Sequence, residues 1–127
     1  MPLIEIHTAA ARSKAEKQKL MTAARNAVCE AFAVETAAAT VWLREYAPED
    51  VLSSSGAECL TQYVIHCFSG RSQRQKEKLF SLLYEYLRAI GEDVSEFQVT
   101  IEETPLENWG LYGGQSAAAL REGAGQN

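Results

Sequence analysis

A proline follows the initial methionine, and removal of Met1 would leave Pro2 with a free secondary amine. A terminal amine has a reference pKa of about 7.7 to 8.0, and burial beside cations disfavours its protonated form. Such an amine is a general base matched to neutral pH. The structural alternative is a strand edge, where proline is tolerated because no ladder partner needs its missing N–H. The cations that could assist it are Arg12 and Arg71, each following a strand and preceding a helix. A guanidinium stays charged and grips a carboxylate with two parallel N–H donors, so the implied ligand is a small anionic carboxylate. The alternative for either arginine is a solvated charge at a helix start. Arg74 stands one helical turn after Arg71 and could point at the same anion or at solvent. Arg44 lies among the apolar residues of a strand, where it could bind substrate or pair with an acid across an interface.

Arg12 and Arg71 are related by a repeat, which fixes how the elements carrying them are read. Shifting the chain by 59 residues aligns IHTAAARSKAEKQKL (6–20) with IHCFSGRSQRQKEKL (65–79), seven of fifteen positions being identical. Further along, VWLREYAP (41–48) resembles VTIEETP (99–105) at a shift of 58. The chain therefore holds two copies of a unit of about 60 residues. Pro2 corresponds to Thr61, which lies inside the chain and has no free amine, so only one copy can supply an amino-terminal base.

Each unit reads as strand, helix, strand. PLIEIHT and LTQYVIHCF alternate as half-buried strands do, and ATVWLREY and EFQVTIE supply the strands after the helices. Ser13 with Glu16 forms a capping box, followed by Leu20, Met21, Ala24, Val28 and Phe32 at helical spacing. Ser72 heads the second helix, Leu79, Leu82, Leu83, Tyr86 and Leu87 make its stripe, and Gly91 ends it. A helix crossing between two strands of one sheet makes a right-handed parallel pair. The expected fold is thus α/β, layered, with a four-stranded sheet and two helices on one face. One pseudo-symmetric domain spans 1–127, with unit 1 over about 2–58, unit 2 over about 59–115 and a small, polar, Gly-rich tail over 116–127 whose last residues are expected to be mobile. The other sheet face is left uncovered. With Ile4, Ile6, Val41 and Ile101 assigned to it, that face is an apolar patch suited to homo-oligomerisation. His7 and His66 occupy equivalent strand positions and imply a structural role common to both copies; Glu45 and Glu103 read as strand-end surface charges.

Composition narrows the partners. With 127 residues, 46% of them hydrophobic and 23% charged, the chain can bury a core. A formal charge of -5 argues against nucleic acid or an anionic membrane as the main partner. No segment reads as a signal peptide or a membrane span. Cys29, Cys59 and Cys67 are odd in number and lack CxxC spacing, which gives no metal framework and fits the cytoplasm.

The leading proline, the ARS and GRS starts of the two helices, and VTIEETPLENWGLYGGQSA together resemble the tautomerase superfamily of 4-oxalocrotonate tautomerase. The resemblance covers nearly the whole chain in two copies, as in fused members that assemble as trimers. It implies that Pro2 is catalytic, that Arg71 and Arg12 hold the substrate carboxylate, and that Trp109 forms an apolar pocket wall; a structural place for Trp109 in the core or an interface is the alternative. Neither a cofactor nor a metal is implied. Several family features are replaced. Thr40 and Gln98 stand where 4-oxalocrotonate tautomerase has a second arginine, which counts against a dicarboxylate substrate. Cys29, Thr100 and Leu111 stand near a histidine, a tyrosine and a glutamate of the cis-3-chloroacrylic acid dehalogenase group, and Ala38 replaces an aspartate of malonate semialdehyde decarboxylase. The resemblance therefore implies a keto-enol tautomerase acting on a small 2-keto acid. The alternatives are a hydratase, dehalogenase or decarboxylase-type lyase on an unsaturated or 3-oxo acid using protonated Pro2, and a non-catalytic oligomeric binding module.

Overall fold

The two capping boxes form as the sequence predicts, and they fix where both long helices begin. In the computed structural model, which describes residues 1–54, 56 and 60–125, the Ser13 hydroxyl accepts from the Glu16 N–H while the Glu16 carboxylate accepts from the Ser13 N–H. Ser72 and Gln75 do the same for the second helix. Helix α1 runs over Lys14–Phe32 and α2 over Gln73–Ala89. The strands are β1 Leu3–Thr8, β2 Thr40–Glu45, β3 Thr61–Phe68 and β4 Gln98–Thr104, in the order β2-β1-β3-β4. Within each unit the strands are parallel, and β1 joins the units by running antiparallel to β3.

Both helices cover the same sheet face. Leu79, Leu83 and Leu87, four residues apart on α2, meet Leu20, Ala24, Ala27, Val28, Ala31 and Phe32 of α1 over Ile4, Ile6, Tyr63 and Ile65 of the central strands. Ile4 and Ile6 are completely buried beneath the helices, and Val41 and Ile101 pack beside them. This corrects the apolar patch expected on the uncovered face. Side chains alternate with a period of two, and the even residues of β1 point to the helices, so the open face receives the other set. That set includes Glu5, His7, Trp42, Arg44, Gln62, Val64 and His66, and is mixed in polarity, with Trp42 64% exposed.

The repeated histidines share one acid there. Glu5 pairs with His66, and its other oxygen lies 3.5 Å from His7 Nε2, while His7 Nδ1 meets the Tyr46 hydroxyl at 2.8 Å. The repeated glutamates also have matching partners: Lys17 pairs with Glu45 at 3.2 Å and Lys76 with Glu103 at 3.0 Å. Within the C-terminal tail, Ala117–Gly125 forms a helix, α3; the last residues, Gln126 and Asn127, expected to be mobile, lie outside the described residues, as does Cys59. No described helix is long and apolar enough to cross a membrane.

Leu83 is fully buried between the helices, and Leu83→Ala should lower unfolding free energy by about 2 to 5 kcal/mol in urea titrations. The hydrogen bond from His66, opposed by a smaller desolvation cost, holds the Glu5 carboxyl below its usual range. Because the folded value is the lower one, Glu5 contributes stability above the ordinary carboxylate range and loses it as pH falls through the lowered value. Glu5→Gln should therefore unfold at lower urea than wild type at pH 6, by a small margin given its exposure, and the difference should shrink as pH falls below the ordinary carboxylate range.

Candidate active site

The antiparallel pairing of β1 with β3 decides which arginine accompanies Pro2. Leu3 pairs with His66 and Thr8 with Thr61, so the start of β1 adjoins the end of β3, and the reverse holds at the other end of the sheet. Continued by one residue, the register sets Pro2 opposite Cys67, shortly before Arg71. Pro2 is fully buried, and its carbonyl accepts from the Thr40 N–H at 3.2 Å. Arg71 reaches across to the end of α1, donating to the Phe32 carbonyl at 3.1 Å with its guanidinium 4.6 Å from the centre of the Phe32 ring.

Two thiols lie in this region. Burial pushes the Cys29 thiol up, against weaker pulls from Arg25 and from the charge of the chain's amino terminus. Burial also raises Cys67, helped by Glu103 and opposed by Arg71 and Lys76. Cys29 donates a long hydrogen bond to the Glu35 carbonyl at 3.8 Å. Trp109 packs edge-on against Phe68, with ring centres 5.1 Å apart, at the same end of β3. Arg74 is exposed in the first turn of α2, on the sequence side nearest Arg71.

Arg12 lies at the opposite end of the sheet. A strand of six residues separates it from Pro2, a span of about 20 Å at the usual rise. Its side chain is only 7% exposed and is fully engaged. Nε donates to Glu92 Oε1 at 3.0 Å, Nη2 donates to Glu92 Oε2, and Nη1 donates to the Thr8 hydroxyl. Nη2 also lies 3.4 Å from the Thr61 hydroxyl, which is bonded to Thr8 at 2.8 Å. Burial alone would lower the Arg12 guanidinium, but the bonds to Glu92 more than compensate and raise it. Burial, then the charge of Glu92, pushes the nearby Tyr63 phenol well up. Arg44 pairs with His7 in the β1–β2 register, on the open face and towards this same far end.

A single chain thus gathers Pro2, Arg71 and Trp109 at one end of the sheet, with Arg74 on the adjoining turn, and keeps Arg12 and Arg44 away from them. The expected trio of Pro2 with both arginines is not assembled within one chain. Pairing explains this, because an antiparallel join puts equivalent strand ends on opposite edges. Reasoning from residue types also missed Phe32 and Cys67 beside Arg71, and Glu92 against Arg12. The unequal repeat was the available signal for Glu92, which follows the second helix at the place where the first repeat has Val34.

Neither a family profile nor a curated protein sequence matches the chain. Solved structures do. A fused 4-OT forming a symmetric trimer has a TM-score of 0.83 at 26% identity, over 93% of this chain and 98% of its own. Pt0534 inactivated by 2-oxo-3-pentynoate has a TM-score of 0.84 at 25% identity, over 93% and 98%. The chain has the tautomerase-superfamily fold, in its fused two-unit form. Malonate semialdehyde decarboxylase from FG41, inhibited by 3-bromopropiolate, shares this fold with a TM-score of 0.81 at 22% identity, over 95% and 96%. In the tautomerase-fold chain the end carrying Pro2 is open at its arginine, and the opposite end is closed by Glu92.

That asymmetry has a measurable energetic consequence. Arg12→Met strands a mostly buried carboxylate and should cost about 2 to 4 kcal/mol in urea titration, whereas Arg71→Met should cost less than about 1.5 kcal/mol. Equal costs at the two sites would contradict the difference in their surroundings.

Proposed function

We propose that this chain is a keto-enol tautomerase for a small 2-keto acid, in which Pro2, freed by removal of Met1, is the base and Arg71 holds the carboxylate. One observation carries the reading. Among the described residues Arg71 donates to a backbone carbonyl and lies over a ring face with no carboxylate paired to it, while its repeat partner Arg12 is matched to a carboxylate. A guanidinium left with donors to spare, at the end of the sheet where a proline amine would be buried, suits a ligand that brings its own carboxylate.

In this mechanism the neutral Pro2 amine removes a proton from the carbon next to the keto group, or from the enol oxygen, and returns it to the other position. Arg71 anchors the acid and stabilises the charge that spreads onto the enolate. Burial keeps the amine from protonating too readily, which suits a base working near neutral pH. Trp109 closes the apolar side of the pocket, and Arg74 offers a second, more exposed donor to the same anion. Arg12 is not assigned a part in this site, because Glu92 already occupies its donors. Arg44 lies out of reach of Pro2 in its own chain, which leaves it for the open sheet face. We also propose a homotrimer built on that face. The exposed Trp42 and the trimeric fused 4-OT relatives support this. The two described cysteines carry free thiols, which supports a cytoplasmic setting.

The likeness to malonate semialdehyde decarboxylase favours a second reading, with protonated Pro2 acting as an acid on a 3-oxo or unsaturated acid. Product analysis separates the two, since release of carbon dioxide or capture of water leaves a different product from proton transfer alone.

Protein purified without an amino-terminal tag should have a mass short by one methionine and should ketonise the enol of a small 2-keto acid. Pro2→Ala should abolish most of that rate, and Arg71→Ala should lower kcat/KM by on the order of 10²- to 10³-fold. Retention of Met1 together with full activity, or an Arg71→Ala enzyme as fast as wild type, would refute the proposal.

A further inference from the structure

The two ends of the sheet can be compared residue by residue. Thr8 and Thr61, the hydroxyls beside Arg12, correspond under the 59-residue shift to Cys67 and Pro2 beside Arg71. The helix ends correspond as well. The Val34 N–H returns to the Cys29 carbonyl at 3.0 Å, and the Glu92 N–H returns to the Leu87 carbonyl at 3.0 Å. Each follows a residue with left-handed backbone, Ala33 at φ 53° and Gly91 at φ 85°, so the backbone leaves both helices in the same way. Glu92 therefore stands where the first repeat has Val34, at the shift of 58 that also relates the last strands. Val34 packs on the core and has no charge to offer Arg71, whereas the Glu92 carboxylate takes two donors of Arg12 side by side.

We propose that Glu92 is a built-in carboxylate ligand, filling in the second repeat the site that the first repeat leaves open, so that each chain carries a latent second site for a small monocarboxylate at Arg12. Both sites share the idea of a repeat-end arginine receiving a carboxylate, as in the proposed function, but they can fail separately. The ligand class follows from the contacts. Arg12 presents a two-pronged face to a planar carboxylate, the Thr8 and Thr61 hydroxyls lie beside it, and little of the guanidinium reaches water. Removal of the Glu92 side chain leaves room and charge for a free acid of acetate size. At this end there is no amine, since Thr61 stands in place of Pro2, so the latent site binds without catalysing proton transfer.

The test is thermal unfolding of the full chain in acetate against chloride at equal ionic strength. Glu92→Ala should melt below wild type in chloride and regain roughly 3 to 6 °C as acetate saturates. The double variant Glu92→Ala with Arg12→Met should respond to acetate no more than wild type does. Adding Arg71→Met to Glu92→Ala should leave the Arg12-dependent part of the gain in place, while loss of the wild-type acetate response on Arg71→Met reports on the first site alone. If Glu92→Ala is unfolded in chloride, the same titration is read as acetate-dependent recovery of helical circular dichroism. Absence in Glu92→Ala of an acetate-specific gain or recovery beyond the wild-type response, or such an excess that survives Arg12→Met, overturns the latent site without touching the reading of Pro2 and Arg71.

Discussion

The antiparallel contact between β1 and β3 organises the rest of the molecule. Each unit alone is a parallel strand pair with one helix, and it buries only one side of that helix and one side of its strands. Joining β1 to β3 makes a continuous four-stranded sheet and brings α1 and α2 together over it. The buried strip of Ile4, Ile6, Tyr63 and Ile65 beneath Leu20, Leu79 and Leu83 is shared by both units. Neither repeat could close this core by itself, because its apolar strand face and helix face both continue into the other copy.

The same contact creates two chemically distinct ends from one duplicated unit. Antiparallel strands related by a near two-fold exchange their ends, so each repeat's arginine lies beside the other repeat's first strand. Arg71 comes to the end with Pro2, and Arg12 comes to the end with Thr61. The duplicated frame is preserved where it supports folding: both capping boxes, both lysine-glutamate pairs and both core stripes are present. The surroundings of the arginines are where the repeats part. One guanidinium is matched by Glu92, Thr8 and Thr61, and the other rests on the carbonyl and ring of Phe32. A buried charge without a partner is costly, so Glu92 stabilises the end that carries Arg12, whereas among the described residues the Arg71 guanidinium at the end with Pro2 has no paired carboxylate.

The open sheet face follows from strand parity. Once the even residues of β1 turn towards the helices, Glu5 and His7 must turn away, and register brings His66 and Arg44 alongside them. The face is thus held by a Glu5 bridge between the two repeated histidines and carries Trp42 outward. It is a specific polar surface with an aromatic anchor, quite different from a bare apolar patch.

Residue types and spacing along the chain determined the duplication, the order of strands and helices, both helix starts and the helix-covered core. They also marked Pro2, Arg71 and Arg12 as the groups able to handle a carboxylate and a proton. These are local properties, set by side-chain periodicity, capping chemistry and the bond lost at a proline. Tertiary structure alone decided that Arg71 joins Pro2 and that Arg12 does not, because strand register sets which ends meet. It also decided which face Ile4 and Ile6 cover, since alternation along a strand gives two faces without saying which one meets the helices. The contact between Arg12 and Glu92 spans 80 positions in the chain, and no local pattern encodes a partner at that distance.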